Sequence, residues 1–206
     1  RRNHKQSRNK TTVETRLIQK DEDLPTDYWG FGETDIKTLH GDLLHGMEYF
    51  GEGVDIVVMD NGFWQVDSTF IGEGWVDGNR IFPLYDAVND DTTIYDSGSH
   101  GSYVLSVMAT DSPGVFVGTA PRAQYWLAIT EDTDNEWRRE QINWLRMAER
   151  VDSLRGVGAL GPRVIITTSL GYSTFDDPSE NYTYAEMDGN TTLITKASDR
   201  AASKGM

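Results

Sequence analysis

The sequence predicts an α/β fold organised around a mostly parallel sheet. Three observations point there. Short apolar runs, VDIVVMD at 54–60, AQYWLAIT at 123–130 and RVIITTSLG at 163–171, are separated by stretches with helical periodicity. Strand and helix patterns then alternate along the chain, as they do in βαβ units. The runs are also nearly apolar throughout, the pattern of strands covered on both faces.

The elements follow in order. Residues 1–20 carry seven basic residues (Arg1, Arg2, Lys5, Arg8, Lys10, Arg16, Lys20) against one acid, Glu14. This stretch has no apolar segment and is not an intact signal peptide, so residues 1–26 are expected to form a flexible, basic leader to a domain spanning 27–206. The spacing of Ile36, Leu39, Leu43 and Leu44 predicts a short amphipathic helix that ends near Gly51-Glu52-Gly53. Residues 54–60 read as the first buried strand. Residues 61–98, dense in Gly, Asp and Asn, are expected to form a long loop region. In SHGSYVLSVMAT (99–110), Tyr103, Val104, Val107 and Met108 share one helical face. Ser97 or Ser99 offers an N-cap there, and Asp-Ser-Pro-Gly at 111–114 ends the helix.

The second strand is 123–130. Thr-Asp-Asn-Glu at 133–136 reads as a capping box opening a long helix. That helix passes through Trp144, Met147, Ala148, Val151 and Leu154 to a stop at Gly156. The third strand is 163–171, and a last helix over 190–205 places Ile194, Ala197 and Ala201 on one face. A parallel sheet would start another strand after such a helix, so the domain is expected to be incomplete at its C-terminus.

Composition excludes several function classes. The 206 residues have a formal net charge of −14, and the 186 after residue 20 hold 12 basic and 32 acidic residues. So acidic a body repels phosphate backbones, which argues against nucleic acid as a partner. No apolar run approaches the roughly 18 residues of a membrane span. The absence of cysteine excludes disulfides, thiolate metal sites and a cysteine nucleophile. Residues 89–96 and 175–178 could offer carboxylates to calcium but read better as solvated acidic loops, so neither a metal nor a cofactor is assigned. Trp64 and Trp75, in the loop after the first strand, suit the rim of a pocket. His40 and His45 sit on a polar helix and take no role.

Two residues stand out. Asp60 ends the first strand ahead of Asn61-Gly62, a pair that favours a hairpin turn when read in isolation. The following FWQVDSTF alternates poorly, however, and functional groups in open α/β sheets gather at the carboxyl ends of strands. His100 opens an apolar helix between small residues, Ser99-His100-Gly101-Ser102. Gly101 gives up about 1 kcal/mol of helix propensity relative to Ala, which makes sense where another segment must approach closely.

These residues resemble a family. VDIVVMDNGF, HGSYVLSVMA, GVFVGTAPRAQYWLAI and VIITTSLGY follow, in order, the blocks of subtilisin-like serine proteases, over roughly residues 50–206. The resemblance implies a three-layer subtilisin-like fold with Asp60 and His100 as catalytic residues; Ser102 stands where the family usually has Thr. It also implies that Ser169, Leu170 and Gly171 bind a peptide or protein substrate by strand addition. The wording of DNGFW, TED and SLGYSTFDDP looks most like secreted subtilases of Bacteroidetes-type bacteria, which implies a secreted, periplasmic or cell-surface protein.

The family's nucleophile block, Gly-Thr-Ser-Met-Ala, is missing from these 206 residues, as is its oxyanion-hole Asn. The nearest Gly-x-Ser, Gly171-Tyr172-Ser173, leaves a strand rather than opening a helix. The expectation is a serine endopeptidase in which this chain supplies Asp and His, the C-terminal remainder of the domain being its partner; alone it would be inactive. The alternatives are a non-catalytic peptide-binding module of the same ancestry and a flavodoxin-like domain in which His100 has no partner.

Overall fold

The computed structural model describes residues 24–132 and 134–206. In chain order its main elements are α1 (Glu33–Thr38), α2 (Gly41–Gly46), β1 (Asp55–Asp60), β2 (Ile81–Asp86), α3 (His100–Ala109), β3 (Asp111–Ser112), β4 (Phe116–Val117), β5 (Gln124–Ile129), α4 (Glu140–Gly156), β6 (Val164–Thr167) and α5 (Leu193–Ser203). Most of the leader expected at 1–26 lies outside the described residues.

All six residues of β1 are buried. It pairs in parallel with β5 on one side and β6 on the other, and the four-stranded sheet runs β2-β5-β1-β6 with every pair parallel. Successive β1 side chains point to opposite faces, and both faces are covered. Ile56 and Val58 join Leu105 and Ala109 of α3, together with Phe63, Val66 and Ile94 from the long loop region. Val57 and Met59 join Trp144, Met147, Ala148 and Val151 of α4 and Ala197 and Ala201 of α5. The result is a three-layer α/β arrangement, and the apolar strands are the direct consequence of cover on both faces. β3 and β4 form a separate antiparallel pair.

Four local expectations change. The region 61–98 contains a strand, β2, whose Pro83 hides it in the sequence. A proline removes a ladder donor and is tolerated at a sheet edge, which is where β2 lies. The region also holds a π-helical turn over Val66–Ile71. The single amphipathic helix expected before β1 is two short ones, separated at His40 in a left-handed conformation (φ 56°), and Leu39 and Leu44 face solvent. On α3, the buried face is Gly101, Ser102, Leu105 and Ala109, whereas Tyr103 and Val107 are exposed. Small residues set that face because α3 packs close to β1.

The helix expected from a capping box at 133–136 begins instead at Glu140, and the first residue of that box lies outside the described residues. The buried Glu140 carboxylate accepts the N–H groups of Asp132 (2.8 Å) and Trp137 (3.0 Å), which folds the preceding loop onto the helix start. The helix ends at Gly156, as its sequence predicts. β6 is shorter than expected and stops at Thr167, so Ser169–Gly171 follow the strand rather than belong to it. No helix among the described residues is long and apolar enough to cross a membrane.

Candidate active site at the carboxyl ends of the strands

Because the strands are parallel, their last residues collect at one edge of the sheet, and acidic groups stand there. Asp86 closes β2, Asp60 closes β1, and Glu131 follows β5 by two residues. Asp86 is spent on structure: its carboxylate accepts the N–H groups of Val88 and Asn89 and the Asn89 side-chain amide.

Asp60 has a different partner. His100 Nδ1 lies 2.8 Å from Asp60 Oδ1, which also accepts the Asn61 N–H at 2.8 Å. The Asp60 side chain is fully buried, whereas that of His100 is 47% exposed. With Nδ1–H donating to the carboxylate, the neutral ring carries its free lone pair on Nε2, at the solvent side of the pair. This bond removes the flavodoxin-like alternative, which required His100 to stand alone. Asn61-Gly62 does not close a hairpin onto a partner strand; it turns the chain away from Asp60, with Gly62 at φ 145°.

Close backbone approach builds the pair. A Cβ on Gly101 would lie 2.9 Å from Asp60 Cβ and 2.8 Å from the Phe63 ring. Side chains at Gly62 and Gly98 would collide with Ser97 and Asn61, so the two loops flanking the site are also in backbone contact. Ser102 ties the helix to the same wall, donating to the Trp64 carbonyl at 3.1 Å. Gly101→Ala is therefore expected to push α3 off β1 and cost about 1–3 kcal/mol, the range for overpacking a tight contact. Urea denaturation measures the loss, and the His100 imidazole shifts in NMR report the altered bond to Asp60.

Ser169, Leu170 and Gly171 leave β6 at this same edge of the sheet. No hydrogen bond among the described residues engages their backbone. The β1–β6 ladder ends at Val58–Thr167, while β1 continues alongside β5 to Asp60. The sheet thus opens between Asp60 and the departing segment. Trp64 stands beside the site, its N–H bonded to the Gly98 carbonyl at 2.8 Å, and is half exposed. Trp75 does not join it: its carbonyl accepts the Asp111 N–H, beyond the far end of α3. Ser173 lies in a loop with its carbonyl bonded to the Tyr182 N–H, and no helix starts there.

Most of the carboxylates considered for calcium are otherwise engaged. Asp90 pairs with Arg146 at 2.9 Å, Asp91 accepts the Thr93 N–H, and Asp177 accepts the Ser179 N–H. Among the described residues no group of three or more His, Asp or Glu is placed to hold a metal.

Two residues have more to do than their sequence context suggests. His45 is buried and structural: its Nδ1 accepts the Trp29 indole N–H at 3.0 Å and its Nε2–H donates to the Thr119 carbonyl at 3.2 Å. Both nitrogens are used by the neutral ring, and burial holds its pKa below the ordinary histidine value. Glu131 is buried and bonded to Tyr172. The available signal was its position: an acid right after a buried apolar run, as at Asp60.

No protein-family model matches the chain, and no curated protein matches it.

Proposed function

We propose that the chain is the Asp-His half of a subtilisin-like serine endopeptidase. The observation that supports it best is the 2.8 Å bond between the buried Asp60 and the half-exposed His100. In this reading Asp60 holds the tautomer whose Nε2 takes the proton of a serine hydroxyl as that oxygen attacks a peptide carbonyl. His100 then gives the proton to the leaving amine, and Asp60 stabilises the imidazolium in between. The free backbone of Ser169–Gly171 pairs with the extended substrate, giving affinity with little demand on its sequence. The acidic body favours neutral or basic peptides.

The serine and the oxyanion donors belong to sequence beyond these 206 residues in this reading, and β6 is where that remainder docks. β6 is an edge strand made of Val-Ile-Ile-Thr, with none of the charges or prolines that usually protect an edge. Its Ile165, on the face opposite α4 and α5, is 52% exposed. Another strand beside β6 and a helix over Ile165 would cover both. Secretion or display at a bacterial cell surface goes with the same assignment.

A second reading, a non-catalytic peptide-binding module, draws on the missing nucleophile block and the same free backbone. Labelling the product of the complete reading frame with a serine-reactive phosphonate separates the two. The expected result is one labelled serine in a Gly-x-Ser sequence, with labelling abolished in His100→Ala. A protein that stays unlabelled yet binds peptides would overturn the endopeptidase in favour of the module.

A further inference from the structure

Glu131 is 7% exposed, and no step of the proposed mechanism uses it. Its Oε1 lies 2.5 Å from the hydroxyl of Tyr172, the residue after Gly171. At the other end of the segment, the Trp144 indole N–H donates to the Thr168 hydroxyl at 2.8 Å. Ser169–Gly171 is therefore a short bridge pinned at both ends, with its own backbone left free. The Glu131 anchor also leads back to the catalytic pair, because the preceding residue, Thr130, donates its N–H to the Asp60 carbonyl at 3.0 Å.

We infer that Glu131 is a positioning residue: by accepting the Tyr172 hydroxyl, it holds the Ser169–Gly171 edge in place against the strand ends, ready to pair with a peptide. The inference rests on the peptide-cleft reading above and names the group that keeps that cleft in order. Tyr172 faces Glu131 from the loop after β6, Glu140 from the first turn of α4, and Glu136 from the loop before it. Burial, with these two acids nearby, pushes the Glu131 carboxyl up to about 7. The neutral acid and the carboxylate each offer an oxygen to the tyrosine hydroxyl, so the anchor holds on either side of neutrality. An amide oxygen would do the same, which makes Gln the conservative replacement.

The test uses this chain in solution, with acetyl-Ala-Ala-Ala-Phe-amide as the peptide probe. Backbone order parameters at Ser169–Gly171 are expected near the rigid value, about 0.85, in the unmodified protein and below about 0.6 in Glu131→Ala and Tyr172→Phe. Peptide affinity is expected to fall about tenfold in both, equivalent to the loss of about one hydrogen bond. Glu131→Gln should keep both the order and the affinity, an outcome that a bulk packing role for Tyr172 would not single out. Glu131→Ala with unchanged order parameters overturns the anchor, as does failure of Gln to rescue. An ordered edge that takes up no peptide in the unmodified protein overturns the peptide-cleft reading instead, and the variants' order parameters then judge the anchor separately.

Discussion

On the endopeptidase reading, Asp60→Asn in the product of the complete reading frame is expected to lower kcat by about 10⁴-fold while leaving KM within a few-fold of its original value. Asn matches Asp in size, so the strand end has little reason to move, although the atom that faces His100 also accepts the Asn61 N–H, and an NH₂ there gives that bond up. What changes is the partner of His100. An amide NH₂ turned toward Nδ1 requires that nitrogen to be the lone-pair acceptor, which places the ring proton on Nε2. The nitrogen that should receive the serine proton is then already protonated. KM is spared because Asp60 is fully buried and touches no part of a bound peptide. His100→Ala should be as damaging, and the double variant no worse than the worse single one, because the two residues act as a unit. Hydrolysis of a fluorogenic peptide, with circular dichroism to show the fold intact, measures all three. Activity within tenfold of the original in Asp60→Asn would end the catalytic assignment.

The second large effect concerns stability and pH. Glu131 has a carboxyl pKa raised from 4.5 to about 7, chiefly by burial. Between those two values the folded chain holds a proton that the unfolded chain has released, so raising the pH favours unfolding. The stabilisation is fully present below about pH 4.5 and is lost as the pH rises through about 7. A shift of that size corresponds to roughly 3 kcal/mol at 1.36 kcal/mol per pKa unit. Glu131→Gln cannot ionise and keeps an acceptor for Tyr172. It should match the original protein near pH 4.5 and exceed it above pH 7 by up to about 3 kcal/mol. Glu140 is also raised by burial and acts in the same direction, but it is present in both proteins, so the part of its effect that comes from its own burial drops out of their difference. Urea denaturation of the two at pH 5 and pH 8 is the measurement; a stability gap that is the same at both values would refute the idea.

Both predictions depend on contacts that are far apart in the chain, and the two were not equally legible. Asp60 and His100 could be singled out because each breaks a local pattern: an acid at the end of an apolar strand and a histidine beside glycine at a helix start. Their pairing was implied by the resemblance to subtilisin-like proteases, and it agrees with the rule that functional groups gather at the carboxyl ends of parallel strands. Glu131 breaks the same kind of pattern, but its partner Tyr172 lies 41 positions away in a loop with no periodicity. No sequence signal connects them.

Local order and helix stops were readable because they follow from residue chemistry alone. Apolar runs marked β1, β5 and β6, and Gly156 marked the end of α4. Where propensity and tertiary packing disagreed, packing decided. The periodicity of α3 pointed to Tyr103 and Val107 as its inner face, yet the approach of the helix to Asp60 admits only Gly101 and Ser102 there. The Gly, Asp and Asn of 61–98 argued against a strand, yet Ile81–Asp86 pairs with β5 at the sheet edge, where Pro83 needs no donor. The chain by itself thus determined where β1, β5 and β6 lie, where α4 ends and which two residues invite chemistry, because burial and backbone preference act residue by residue. The sheet order, the buried face of α3 and the Glu131–Tyr172 anchor were decided only by the tertiary structure, because each depends on which distant surfaces come close enough to exclude water.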